Sequence, residues 1–277
     1  MLEFLKNLDR RYVFLFIALS VVVPLLAPIG LPVQHDPEVK QLYDKIEGMD
    51  AGETIVISFD YDPASGPELK PMAEAIVHHA FRKKLKVIAI ALYPAGPSMA
   101  NLAFERVVAS GKYNVEYGRD YVNLGFYYGP NTGLNQVAVF CNDIYSAFPK
   151  DEKKNATSSY SIMKGFGSLK DAGLVVSLSA GDPGVPAYVG VAYAIHGIPV
   201  SAGVTAVSAP RFYSYLDAKQ LVGLLGGLRG AAVYESLVGE KGKGLSGMDA
   251  QSIAHLVIIF FILLSNVLYL IEKAQEA

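Results

Sequence analysis

The chain has 277 residues, 24 Lys and Arg against 26 Asp and Glu, and a net charge of −2, so it carries no basic footprint for nucleic acid. Hydrophobic residues make up 52% and charged residues 18%, a balance more apolar than a water-facing body of this length needs. The single cysteine, Cys141, excludes an intrachain disulfide and a cysteine-rich metal cluster, and on a helix it reads as a small buried hydrophobe.

The first element is an apolar run from Tyr12 to Val33 without a charged residue. It matches the roughly 20 residues a helix needs to cross a ~30 Å hydrocarbon layer. Lys6, Arg10 and Arg11 in front of it resemble the basic region of a signal peptide, but Ala27-Pro28-Ile29-Gly30 is a poor cleavage site. The run is therefore expected to persist as an uncleaved membrane helix, bent at its outer end by Pro24 and Pro28.

Residues 37 to 48 read as a short amphipathic helix. Glu53 to Asp60 is a strand whose Ile55-Val56-Ile57 run is apolar on both faces, as in a central parallel strand. Asp60-Tyr61-Asp62-Pro63 supplies turn chemistry, and Pro67 to Lys84 carries a helical repeat with Arg82, Lys83 and Lys84 in its last turn. Val87 to Leu92 is a second strand, Met99 to Ser110 a helix closed by Gly111, and Val122 to Tyr128 a third strand. After a turn at Gly129-Pro130-Asn131-Thr132-Gly133, Leu134 to Phe148 shows the cleanest helical spacing in the body. Lys150 to Thr157 is a surface loop with a weak glycosylation match at Asn155-Ala156-Thr157, and Ser158 to Lys170 is expected to be helical. Leu174 to Leu178 and Val200 to Val207 are strands, with a helix from Ala187 to His196 between them.

Asp50-Ala51-Gly52 and Asp62-Pro63 recur as Asp171-Ala172-Gly173 and Asp182-Pro183, an echo consistent with two βαβ units. Strands alternating with helices predict an α/β fold: a mostly parallel, open, Rossmann-like sheet with helices on both faces, flanked by N- and C-terminal transmembrane helices. Ligands of such sheets bind outside the carboxyl ends of the strands. The candidate binding residues there are Asp60, Asp62, Tyr93, Ser98, Ser179, Gly181, Asp182, Thr205 and Ser208, with Gly184 beside them. The three aspartates could hold a divalent cation, but aspartates before proline more commonly serve simple turn and capping roles. The nucleotide-phosphate, zinc-protease and nucleophile-elbow motifs are missing, and His78, His79 and His196 lie on helices; no metal and no cofactor is assigned.

Beyond an aromatic stretch at Arg211 to Leu216, the segment Leu221 to Val233 carries Gly223, Gly226, Gly227 and Gly230. On a helix these would form a flat stripe for close packing, either against a partner or within the same body. A Gly-rich linker, 239–252, then leads to the second apolar run, Ile253 to Ile271. There His255 sits near one end, and Ser265 and Asn266 near the other, with Asn266 expected to hydrogen-bond across a helix–helix contact.

The expected layout is a cytoplasmic tail (1–11), a span (12–33), an extracytoplasmic α/β domain (34–238), the linker, a second span (253–271) and a tail (272–277). The basic residues ahead of the first span favour both termini on the cytoplasmic side of the cell membrane. Tyr117-Gly118-Arg119-Asp120-Tyr121-Val122-Asn123-Leu124-Gly125, Ala202-Gly203-Val204-Thr205-Ala206-Val207 and Leu221 to Gly230 together resemble an uncharacterised prokaryotic family of two-span membrane proteins. That resemblance implies the architecture and no activity. Three functions fit the pattern. The first is an accessory or assembly subunit docking a homo-oligomer or other membrane subunits in the bilayer; the second is an extracytoplasmic sensor of a small molecule or cation; the third is a membrane-tethered hydrolase.

Overall fold

The computed structural model describes residues 9–34, 36–129 and 133–276, and the chain divides into two compact units, 33–244 and the paired termini 1–32 and 245–277. The basic tail through Lys6 and the turn at Pro130-Asn131-Thr132 lie outside the described residues.

Helix α1 (Arg10–Leu26) belongs to the terminal unit. The larger unit opens with α2 (Pro37–Glu47), where Pro37 starts the helix and Val39, Leu42 and Ile46 form its buried face. Each of those side chains contributes roughly 1.5–3 kcal/mol on leaving water. Strand β1 (Thr54–Asp60) leads through a single turn into α3 (Gly66–Arg82), then β2 (Lys86–Ala91), α4 (Gly96–Ala109) and β3 (Tyr121–Phe126). Helices α5 (Leu134–Asn142) and α6 (Ile144–Ala147) follow, then β4 (Leu174–Ser179), α7 (Gly184–Tyr188), β5 (Val200–Val204), α8 (Tyr213–Asp217), β6 (Leu224–Gly226) and α9 (Gly227–Val238).

Among the described residues these strands make one six-stranded, wholly parallel sheet in the order β3-β2-β1-β4-β5-β6. This is a doubly wound order whose two halves diverge between β1 and β4. One face is covered by α2, α3, α4 and α9, with Ile55, Ile57, Leu69, Met72 and Tyr234 in its core. The other is covered by α5, α6 and α7, with Val56, Val175, Phe140 and Tyr188. Asp50-Ala51-Gly52 and Asp171-Ala172-Gly173 precede the two central strands, and Asp62-Pro63 and Asp182-Pro183 follow them, so the sequence echo occupies equivalent places in the two halves.

Several expected elements differ. Residues 158–170 form three single 3₁₀ turns rather than a helix. Ile162, Met163, Phe166 and Leu169 are all buried, so their spacing mimics a helix face while Gly165 and Gly167 break the backbone. The helix expected over 134–148 breaks at Asp143, which adopts an extended conformation and caps α6 by accepting from the Tyr145 N–H. Helix α7 continues into a π-helical turn, Val189–Tyr193. Cys141 is fully buried, and burial pushes its thiol up to about 11.

The glycine-rich segment is a correction: Gly223, Gly226, Gly227 and Gly230 do not share a helix face. Gly223 precedes β6, Gly226 ends it, and Gly227 and Gly230 stand in the first turn of α9. Leu224 and Leu225 are fully buried against β5, which makes this stretch the sheet's edge strand. A Cβ on Gly223 would lie 2.6 Å from the Leu42 backbone N, so the glycine lets α2 pack on β6 inside the body.

In the terminal unit α1 has 17 residues and ends at Leu26, ahead of Pro28, shorter than the expected span. The last helix, α10 (Lys243–Glu276), is continuous, so most of the expected linker is helical. Its stretch Lys243–Ile271 contains an 18-residue segment with a mean hydropathy of 2.4 and is, among the described residues, the one helix long and apolar enough to cross a membrane. The expectation of two such helices is therefore met at the C-terminal end alone. Phe16 and Phe261 approach with ring centroids 6.1 Å apart. A groove of about 360 Å³ runs between α1 and α10, lined by Val13, Ile17, Phe261, Ser265 and Asn266 among others. Asn266 faces this groove without a hydrogen-bond partner among the described residues, in place of the expected bond across the helix pair.

Candidate functional site

The carboxyl ends of β1 and β4 carry a polar quartet. Ser58 pairs in register with Ser177, and Asp60 with Ser179. Because side chains alternate across a strand, all four lie on one face of the two central strands. Asp60 is 5% exposed. Its Oδ1 accepts from the Leu92 N–H at 2.7 Å and the Ser58 hydroxyl at 2.8 Å, and its Oδ2 accepts from the Ser177 hydroxyl at 3.3 Å. The Tyr188 hydroxyl donates to Ser58 at 2.7 Å. Burial raises the Asp60 carboxyl from 3.8 to about 6, against the opposing pull of the Leu92, Ser58 and Ser177 donors. Desolvation likewise drives Tyr188 well above the ordinary phenol range. This network ties β1, the end of β2, β4 and α7 together at the point where the sheet halves separate.

The other predicted residues take more peripheral places. Asp62 accepts from the Ser65 N–H at 3.2 Å and caps the turn before α3. Asp182 is exposed and reaches Arg211 at 3.4 Å. The three aspartates thus turn to three different partners and do not converge, so they form no shared cation cage; among the described residues no group of three His, Cys, Asp or Glu side chains is arranged to hold a metal ion. Ser179 Oγ donates to the Gly181 carbonyl at 2.5 Å and accepts from the Gly181 N–H at 3.3 Å. Gly184 is required beside it, because a Cβ there would lie 1.9 Å from that hydroxyl, whereas the space around Gly181 is open. Thr205 donates to Ser208 at 3.0 Å. Tyr93 and Ser98 are exposed at the end of β2 and the start of α4.

The histidines lie elsewhere. His79, on α3, hydrogen-bonds Glu47 and Tyr234, and His78 bonds Tyr113. No histidine pairs with Ser179 among the described residues.

Sequence reading missed Ser58, Ser177, Tyr188 and Arg211. The first two carried a signal: each lies two positions before a predicted residue in the same strand, hence on the same face. Tyr188 carried none, since only the packing of α7 brings it to Ser58. The arrangement offers hydroxyls, an open glycine backbone and an exposed Asp182–Arg211 pair, chemistry suited to holding a small polar molecule. No family model, curated protein or solved structure matches this chain.

Proposed function

We propose that this chain is a membrane-tethered binding protein whose α/β body holds a small polar ligand at the β1/β4 switch point. The observation that carries the reading is the strand order, which places Asp60 and Ser179 side by side where the two halves of the sheet diverge. Asp60 acts from beneath as the fixed polar floor, while Gly181, Asp182, Asp62 and Ser208 present the groups a ligand would meet. In this reading α1 from Tyr12 onward and residues 253–271 of α10 both lie in the bilayer, with both termini cytoplasmic and the body outside, as in the two-span family that the sequence resembles. Exposed Phe14, Leu19, Leu256, Leu263 and Leu270 support a lipid-facing surface on both terminal helices.

The test is a thermal-shift screen of the detergent-purified full chain against polar metabolites and divalent cations. A hit that Asp62→Ala and Asp182→Ala each abolish supports the site; a hit indifferent to both places the ligand elsewhere and sinks the reading.

One observation favours a second role, that of an accessory or assembly subunit: Ser265 and Asn266 face an otherwise apolar groove. Polar side chains at a membrane helix surface favour association with another helix. Native mass measurement in mild detergent decides it, and a strictly monomeric particle removes this role.

A further inference from the structure

We propose that a cavity beyond the carboxyl end of β3 binds a zwitterionic amino-acid-type ligand with an apolar side chain. It measures about 590 Å³, a volume typical of small-molecule sites, and stands two strands away from the β1/β4 switch point, so it is independent of the site described above. Phe126, Tyr127, Tyr128 and Phe148 give it aromatic walls, with Tyr128 86% exposed. Its rim carries charge of both signs from Lys150, Glu152 and Lys154.

None of these three side chains forms an ion pair or hydrogen bond among the described residues, although all line the same cavity. The turn that bears them is fixed by its own bonds. Lys150 bridges Ala156, the Asp151 N–H donates to the Asn155 carbonyl at 2.9 Å, and the Lys154 N–H donates back to the Asp151 carbonyl at 2.9 Å. The buried Asp151 carboxylate accepts from the Tyr117 hydroxyl at 2.7 Å, the Tyr160 hydroxyl at 2.6 Å and the Asn155 N–H at 2.8 Å. Lys154 is held at φ 67, a left-handed conformation that a lysine adopts only when its surroundings impose it. Glu152 is half-buried over Gly125, whose missing Cβ leaves room for the carboxylate.

The charges select the ligand class. A simple anion would satisfy the lysines and face Glu152, and a simple cation would do the reverse. A molecule with one ammonium and one carboxylate answers both, and its apolar side chain suits the aromatic wall, which also favours a nearby ammonium. The fixed turn removes much of the ordering cost of binding.

The experiment is calorimetric titration of the detergent-purified full chain with L-phenylalanine, N-acetyl-L-phenylalanine and L-phenylalaninamide. L-phenylalanine is expected to bind saturably, and each analogue, lacking one charge, about 10-fold or more weaker. Glu152→Gln should weaken L-phenylalanine and strengthen the anionic N-acetyl analogue, closing the gap between them; the three-ligand comparison on the unmodified chain stands even if a variant fails to fold. Absence of saturable binding by L-phenylalanine, or equal binding of the N-acetyl analogue, overturns the proposal.

Discussion

Asp249 on α10 holds the backbone around Gly30. Its Oδ2 accepts from the Gly30 N–H at 2.8 Å and the Ile29 N–H at 2.9 Å, while its Oδ1 accepts from the Leu31 N–H at 2.9 Å. Gly30 has φ +76, the conformation that helps turn three successive N–H groups toward one carboxylate. The segment after α1 is thereby fastened to α10 although 219 residues separate Gly30 from Asp249 in sequence.

Asp249→Ala should loosen this fastening. Hydrogen bonds to a charged acceptor contribute about 1.5–3 kcal/mol each, and the side chain that accepts them is buried. Hydrogen exchange of the Ile29, Gly30 and Leu31 amides should accelerate at least ~10-fold, with Asp249→Asn intermediate. Unchanged exchange in the alanine variant would show that the carboxylate is dispensable.

A second prediction concerns acid. His79 is fully buried, donates from Nε2 to Glu47 at 2.8 Å and accepts at Nδ1 from the Tyr234 hydroxyl at 2.8 Å. Burial lowers its pKa from 6.5 to about 4. The unfolded chain then binds more protons between those values, so the stability present above 6.5 is lost as pH falls toward 4. Asp60 works in the opposite sense: raised from 3.8 to about 6, it binds more protons in the folded state, and its contribution is lost as pH rises through 6. The two slopes oppose each other between about 4 and 6. Asp60→Asn should therefore expose a steeper acid destabilisation in urea melts from pH 4 to pH 7, and a profile as flat as that of the unmodified chain would contradict it.

Tyr234→Phe isolates the other end of the His79 contact. It strands Nδ1 in the core between α3 and α9, a loss of about 1–3 kcal/mol. The melting temperature should fall by roughly 2–4 °C per kcal/mol for a body of this size. A melting temperature equal to that of the unmodified chain would mean that water or another donor already serves the ring.

Gly223→Ala separates packing within the body from docking outside it. The added methyl meets the Leu42 N at 2.6 Å and the Glu38 carbonyl O at 2.8 Å, so α2 must shift, at about 1–3 kcal/mol. The expected outcome is a lower melting temperature with the same native mass. A changed mass at unchanged stability would restore the view of this glycine as a surface for a partner.

The α/β class and the five longer strands were legible because backbone periodicity is a local property. Ile55-Val56-Ile57 and Leu174-Val175-Val176 are apolar on both faces whatever lies around them, and a run of that kind suits a covered parallel strand. The collection of Asp60, Ser179, Gly181 and Asp182 at one edge followed from the same logic. Where local pattern was ambiguous it misled: the buried positions of 162–169 imitate a helix, and Leu224-Leu225 becomes a strand only because β5 offers it a free edge. Whether a polar residue faces a ligand or the protein is settled by neighbours far away in sequence. Asp60 finds Leu92 and Ser177, and Glu152, Lys150 and Lys154 stand on a turn anchored on Tyr117 and Tyr160. Such partners are chosen by strand register and helix packing, which assemble only when distant segments meet, and no local pattern encodes them.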